Sequence, residues 1–176
     1  MAPVRTALNM ILDSHDPYPA QVMDSNWNVL MQNKSQAGLI SFIFGAAKIP
    51  PTQNVLEGLF REDCFKPHVA NWDEVASHSL RRLRKQVLVT GDEAIKALFE
   101  RVLTLSPPAN WQQPLDDLSD GPMLTVDIKM GDQVLSMFTT LSQFGTALNT
   151  GMQELMIESY FPANEQCRLL FNKLTS

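Results

Sequence analysis

The sequence predicts an α+β domain: an antiparallel sheet of roughly five strands, with helices inserted between the second and third strands and covering one face. Three observations carry this reading. In 17–33, PYPAQVMDSNWNVLMQN, two short apolar runs flank the turn formers Asp24, Ser25 and Asn26, the pattern of a β-hairpin. From there to residue 103 the apolar residues recur at helical spacing. From 124 to 161 they alternate, as strands do.

Taken in order, Val4, Leu8, Ile11 and Leu12 form the stripe of a short amphipathic helix over 4–15, read as a connector to an upstream domain. After the hairpin, 35–44 is apolar on nearly every face, so the helix is buried on several sides or lines a cavity. Gly45 ends it, and the Pro50-Pro51 loop leads to a short helix over 54–60. The longest helix is placed at 67–88, with Pro67 in its first turn and Trp72, Ala76, Leu80, Leu83 and Val87 as one stripe. Its RRLRK cluster reads as a solvated face that complements the helix dipole. Thr90 and Glu93 have capping-box spacing ahead of a helix carrying Ile95, Leu98, Phe99 and Val102. The Pro- and Asp-rich segment 107–121 reads as a surface loop anchored by Trp111. Strands follow at 124–130, 133–141 and 152–161, the first two joined by a Gly131-Asp132 turn of type II′. Asn164 caps a last helix. A hairpin, a run of helices and three antiparallel strands make the chain order of a PAS-type domain.

The 176 residues suit one domain, spanning 1–176, with a continuous core. With 44% hydrophobic and 19% charged residues the chain is globular rather than disordered. A net charge of −5 argues against broad attraction to nucleic acid, which needs clustered Lys and Arg. The apolar runs are too short to span a bilayer, and a cytoplasmic location with no membrane partner is expected. Cys64 and Cys167 read as small buried apolar side chains.

Chemistry-bearing patterns are scarce. His15, His68 and His78 lack partners at zinc-ligand spacing, so neither a metal nor a cofactor is expected. With no nucleophile elbow or phosphate loop in the sequence, the chain is not read as an enzyme. What remains is an interior rich in Met and aromatic residues, which is either ordinary core or a pocket between helices and sheet. Candidate pocket residues are Met31, Asn33, Leu39, Phe42 and Ile43 near the hairpin and first inserted helix, and Phe60, Trp72, Ala76 and Phe99 in the helical middle. Val126, Ile128, Met137, Leu155 and Ile157 complete the set from the strands.

Four segments, PYPAQVMDSNWNVLMQN, LEGLFRED, NWDEVASHSLRRLR and LSQFGTALNTGMQELMIESYFPANE, resemble in that order the ligand-binding domain of MmyB-like transcription regulators. The motif positions are Pro19, Ala20, Trp27, Asn33, Phe60, Trp72, Leu83, Arg84, Gly145, Leu155 and Pro162. The resemblance implies a PAS-like sensor that follows a helix-turn-helix domain, not seen ahead of Val4, through which DNA would be reached. It also implies a small apolar ligand of the long-chain fatty acid kind and brings no catalytic residues. The segment 109–113 is shorter than the family's, which would alter the pocket mouth. A buried carboxylate head needs a partner, and Arg61, His68, His78, Arg81 and Arg84 are the candidates. Homodimerisation through the N-terminal helix is the further expectation, and a ligand-free dimerisation module the alternative function.

Overall fold

The structure, a computed structural model, describes residues 2–45, 48–113, 124–144 and 154–174. Helix α1 (Ala2–His15) leads into strands β1 (Ala20–Asp24) and β2 (Val29–Gln32). Helices α2 (Lys34–Phe44), α3 (Val55–Phe60), α4 (Trp72–Thr90) and α5 (Glu93–Leu103) follow. Strands β3 (Thr125–Met130), β4 (Gln133–Phe144) and β5 (Leu155–Pro162) and helix α6 (Glu165–Leu174) complete the chain. The five strands form one antiparallel sheet in the order β2-β1-β5-β4-β3, which is the PAS-type arrangement.

The hairpin closes as its residues dictate. The Asp24 carboxylate accepts from the backbone N–H groups of Asn26 and Asn28, both at 2.9 Å, and from Asn28 Nδ2 at 3.0 Å. These bonds hold Trp27 at φ 67°, a left-handed conformation that a bulky residue adopts only under constraint. Strict alternation would place Val29 and Met31 on one face. Instead Met31 pairs with Val22 and Val29 with Met23, so Leu30 is an extra residue and the two flanking side chains point to opposite faces.

Both faces of the sheet are covered. On one, Leu8 and Leu12 of α1 are buried against Ala20, Val22 and Ile157, with Met31 and Leu155 beside them. Of the expected apolar stripe of the first helix, Val4, Leu8 and Leu12 are therefore spent inside the chain, while Ile11 is left exposed. On the other face α3, α4 and α5 pack through Leu56, Phe60, Leu80, Leu83, Ile95 and Leu98, while Cys167 and Phe171 of α6 meet Leu39, Ile128 and Met137. Cys64 is buried as well, and burial pushes the Cys167 thiol up to about 11.

Two helix boundaries differ from expectation. The stretch placed at 67–88 begins as a helix only at Trp72; Lys66–His68 is one 3-10 turn. The intervening residues are drawn onto the edge of β3. Val69 bridges Ile128, the Ala70 N–H donates to the Asp127 carbonyl at 2.7 Å, and the Asn71 side chain bonds the backbone of Thr125 and Asp127. Thr90 does not cap α5. It is the last residue of α4, Gly91 is the left-handed C-cap at φ 62°, and Asp92 accepts from the N–H groups of Ala94 and Ile95. The Gly131 turn is as expected, with φ 61° at its first position. The far edge of the sheet is dressed too: Val29 N–H donates to Gln53 and Val55 N–H to Trp27, each at 2.9 Å. Of the expected surface loop, 107–113 is described, with Trp111 buried against Phe99; the rest lies outside the described residues, as do Gly145 and most of the expected loop after β4.

Asn33, 4% exposed, joins these layers. Its Oδ1 accepts from Ala20 N–H at 3.0 Å and Gln36 N–H at 2.9 Å, and its Nδ2 donates to the carbonyls of Leu12 at 3.3 Å and Tyr18 at 2.8 Å. Asn33→Ala leaves these buried groups unanswered and is expected to cost about 3 kcal/mol, read as a lower urea midpoint at unchanged slope.

Candidate functional site

A cavity of about 460 Å³ lies between the sheet and the helices. Helix α2 contributes Gln36, Ala37, Leu39, Ile40 and Ile43. Helix α4 contributes Val75, His78, Ser79 and Arg82, one face at spacings of three, one and three residues. The sheet supplies Gln21, Val29, Val126, Ile128, Met137, Thr139, Glu158 and Tyr160, and the segment from Lys48 to Leu56 forms the remaining wall. This volume is in the range of small-molecule sites.

Of the sequence candidates, the cavity gathers Leu39, Ile43, Val126, Ile128, Met137 and His78. The others are placed elsewhere. Phe60 and Ala76 are in the solid core, and Phe99 packs edge-on to Trp111 at 5.9 Å. Trp72 donates its indole N–H to the Leu59 carbonyl at 2.8 Å, and Phe42 is 48% exposed on the outside of α2. Asn33 is the structural joint described above. Met31, Leu155 and Ile157 face α1 across the sheet.

The expected cations are mostly engaged away from the cavity. Arg61 donates to Asp63 from Nε at 2.8 Å and from Nη2 at 2.7 Å. Arg81 Nη1 donates to the carbonyls of Trp111 and Gln113, both at 3.1 Å, which ties down the loop after α5. Arg84 is exposed and outside the lining. His68 sits edge-on to Phe44, and burial, with the charge of Lys129, lowers its pKa. The cations that do line the cavity are Lys48 and Arg82, beside His78. Arg82 lies over the Trp27 ring at 5.4 Å, and that ring is held by its N–H bond to Gln86 at 2.8 Å.

The polar side of the cavity went unread in the sequence. Gln21 Nε2 donates to Glu158 Oε2 at 2.8 Å, and the Tyr160 hydroxyl donates to the same oxygen at 3.0 Å. Gln36 Nε2 reaches Gln21 Oε1 at 3.5 Å, while Gln36 Oε1 is buried without a partner. Burial pushes the Glu158 carboxyl above the usual carboxylate range, against the pull of its bonds to Gln21 and Tyr160 and the charge of Arg82. Burial and the neighbouring Glu158 hold the Tyr160 hydroxyl well above its usual range, so it stays a donor.

The family model of the MmyB-like transcription regulator ligand binding domain matches residues 4–174. No curated protein matches the chain. Among solved structures, the PAS domain from Bordetella pertussis BvgS is similar at 16% identity and a TM-score of 0.38, covering 97% of this chain and 95% of that one.

A raised carboxyl pKa in the folded state means that Glu158 favours folding most when protonated. That contribution is complete below the unfolded value of about 4.3 and is lost as pH rises through the higher folded value. Glu158→Gln removes the dependence. The variant is expected to melt a few degrees above the wild type at neutral pH, with the gap closing as pH falls to about 4, measured by thermal melts across that range.

Proposed function

The chain belongs to the MmyB-like transcription regulator ligand-binding domains, and on that footing we propose that it is the sensing half of a bacterial one-component transcription regulator. Its ligand is a small, largely apolar molecule such as a long-chain fatty acid. The observation that carries this reading is the cavity between sheet and helices, walled by Leu39, Ile43, Val126, Ile128 and Met137. An alkyl chain there gains about 0.8 kcal/mol for each buried methylene. A carboxylate head is paired by Arg82 or Lys48 rather than by the cations engaged elsewhere. DNA is contacted by a helix-turn-helix domain of the full regulator, in the cytoplasm. Ligand acts on it by binding one conformation better than another.

The test is calorimetry with a series of straight-chain acids, supported by native mass spectrometry of the purified protein. Each added methylene is expected to tighten binding about fourfold until the cavity is full. Ser79→Trp, which projects an indole from α4 into the cavity, is expected to abolish measurable binding while leaving the fold intact. Absence of binding across the whole series overturns the reading.

Self-association is the second reading, favoured by Met10 and Ile11, which α1 leaves 68% and 37% exposed. If that surface forms a homodimer, Met10→Glu with Ile11→Glu yields a monomer by light scattering at concentrations where the wild type is a dimer.

A further inference from the structure

The hydrogen bonds inside the cavity run in one direction, and the direction is set by Glu158. Glu158 Oε2 accepts from the Tyr160 hydroxyl, so the amide of Gln21 turns its donor Nε2 toward that oxygen, at 2.8 Å. That leaves Gln21 Oε1 facing Gln36, which must in turn present Nε2, at 3.5 Å. Gln36 Oε1 is thereby left over, buried without a partner in a residue only 6% exposed. Glu158 stands beside it in a different state: the bonds it takes from Gln21 and Tyr160 both go to Oε2. One unanswered acceptor, on Gln36, and a carboxylate that is linked to it through Gln21 therefore line the same cavity. Leaving such an acceptor unpaired inside a protein is costly, and a guest that supplies a donor recovers the cost.

We propose that the ligand of this cavity carries an N–H or O–H donor, as an amide or hydroxyl on its apolar chain, and that Glu158 and Gln36 are the residues that recognise it. The inference rests on the reading of the cavity as a ligand site and goes beyond it by naming the polar chemistry. A plain fatty acid offers Arg82 a partner, but its ionised head has no donor for Gln36 Oε1. A primary amide matches the wall in either protonation state of Glu158: one N–H answers Gln36 Oε1 throughout, while Glu158 takes the second N–H when ionised and donates to the carbonyl when protonated.

Calorimetry with dodecanamide and N,N-dimethyldodecanamide isolates the donor, because the two share chain and carbonyl and differ in the N–H groups. 1-Dodecanol and its methyl ether form the second pair. The wild-type protein is expected to prefer the donor-bearing member of each pair by about tenfold or more, against the hydrophobic trend favouring added methyls. Glu158→Met and Gln36→Met, checked for folding by circular dichroism, are each expected to reduce that preference. Gln36→Met carries the test if Glu158→Met does not fold. Equal binding within the pairs, or a preference that survives undiminished in a folded variant of each residue, overturns the inference alone. Failure of all four compounds and of the straight-chain acids to bind overturns the ligand site itself, and the inference with it.

Discussion

One buried amide fixes the relation of the first helix, the first strand and the second helix. Asn33 spends both donors and both acceptor positions of its side chain on backbone from Leu12, Tyr18, Ala20 and Gln36. It caps α2 and at the same time sets how far that helix stands from β1. The height and angle of α2 decide where Gln36 meets Gln21, and so where the cavity has its polar wall. A helix placed by apolar packing alone would have many nearly equivalent positions; four directional bonds leave one.

The second constraint is that the sheet is covered on both sides. An antiparallel sheet with one wet face directs its apolar residues inward and its polar residues outward. Here α1 takes the apolar residues Ala20, Val22 and Ile157, so the alternating partners Gln21, Glu158 and Tyr160 are turned toward the helices. Polar residues enclosed in this way survive only by bonding one another, which is what the Gln36–Gln21–Glu158–Tyr160 series does. The cavity is thus apolar toward β3 and toward Leu39, Ile40 and Ile43 of α2, and polar where Gln36 of α2 meets β1 and β5. The charge of Arg82 on α4 acts on Glu158 from the helical side.

Much of the fold is legible in the residues because local signals agree with the global arrangement. The Asp24-Ser25-Asn26 turn, the Gly131 turn, the α4 stripe and the alternation of β3 each say the same thing at short and long range. The departures come where a distant partner overrides a local preference. Val69, Ala70 and Asn71 sit in a stretch that periodicity reads as helix, but β3 offers an unpaired edge and takes their backbone. The site is less legible for two reasons. Leu30 adds one residue to β2 and sends Met31 to the far face, which no spacing rule announces. Several cavity-facing positions are also polar, and apolar spacing carries no signal for them. The spacing of Val75, His78, Ser79 and Arg82, a helical face adjoining the Leu80 and Leu83 stripe, was the signal available for Arg82.

The loops that dress the two sheet margins bear on how the folded domain behaves when crowded with copies of itself. Residues 53–55 occupy backbone groups beside β2, and residues 69–71 do so beside β3. A strand from another molecule cannot be templated at those stretches while the loops stay in place. Fibre growth by that route has to wait for one loop to peel away, which ties polymerisation to the frequency of local opening rather than to concentration alone.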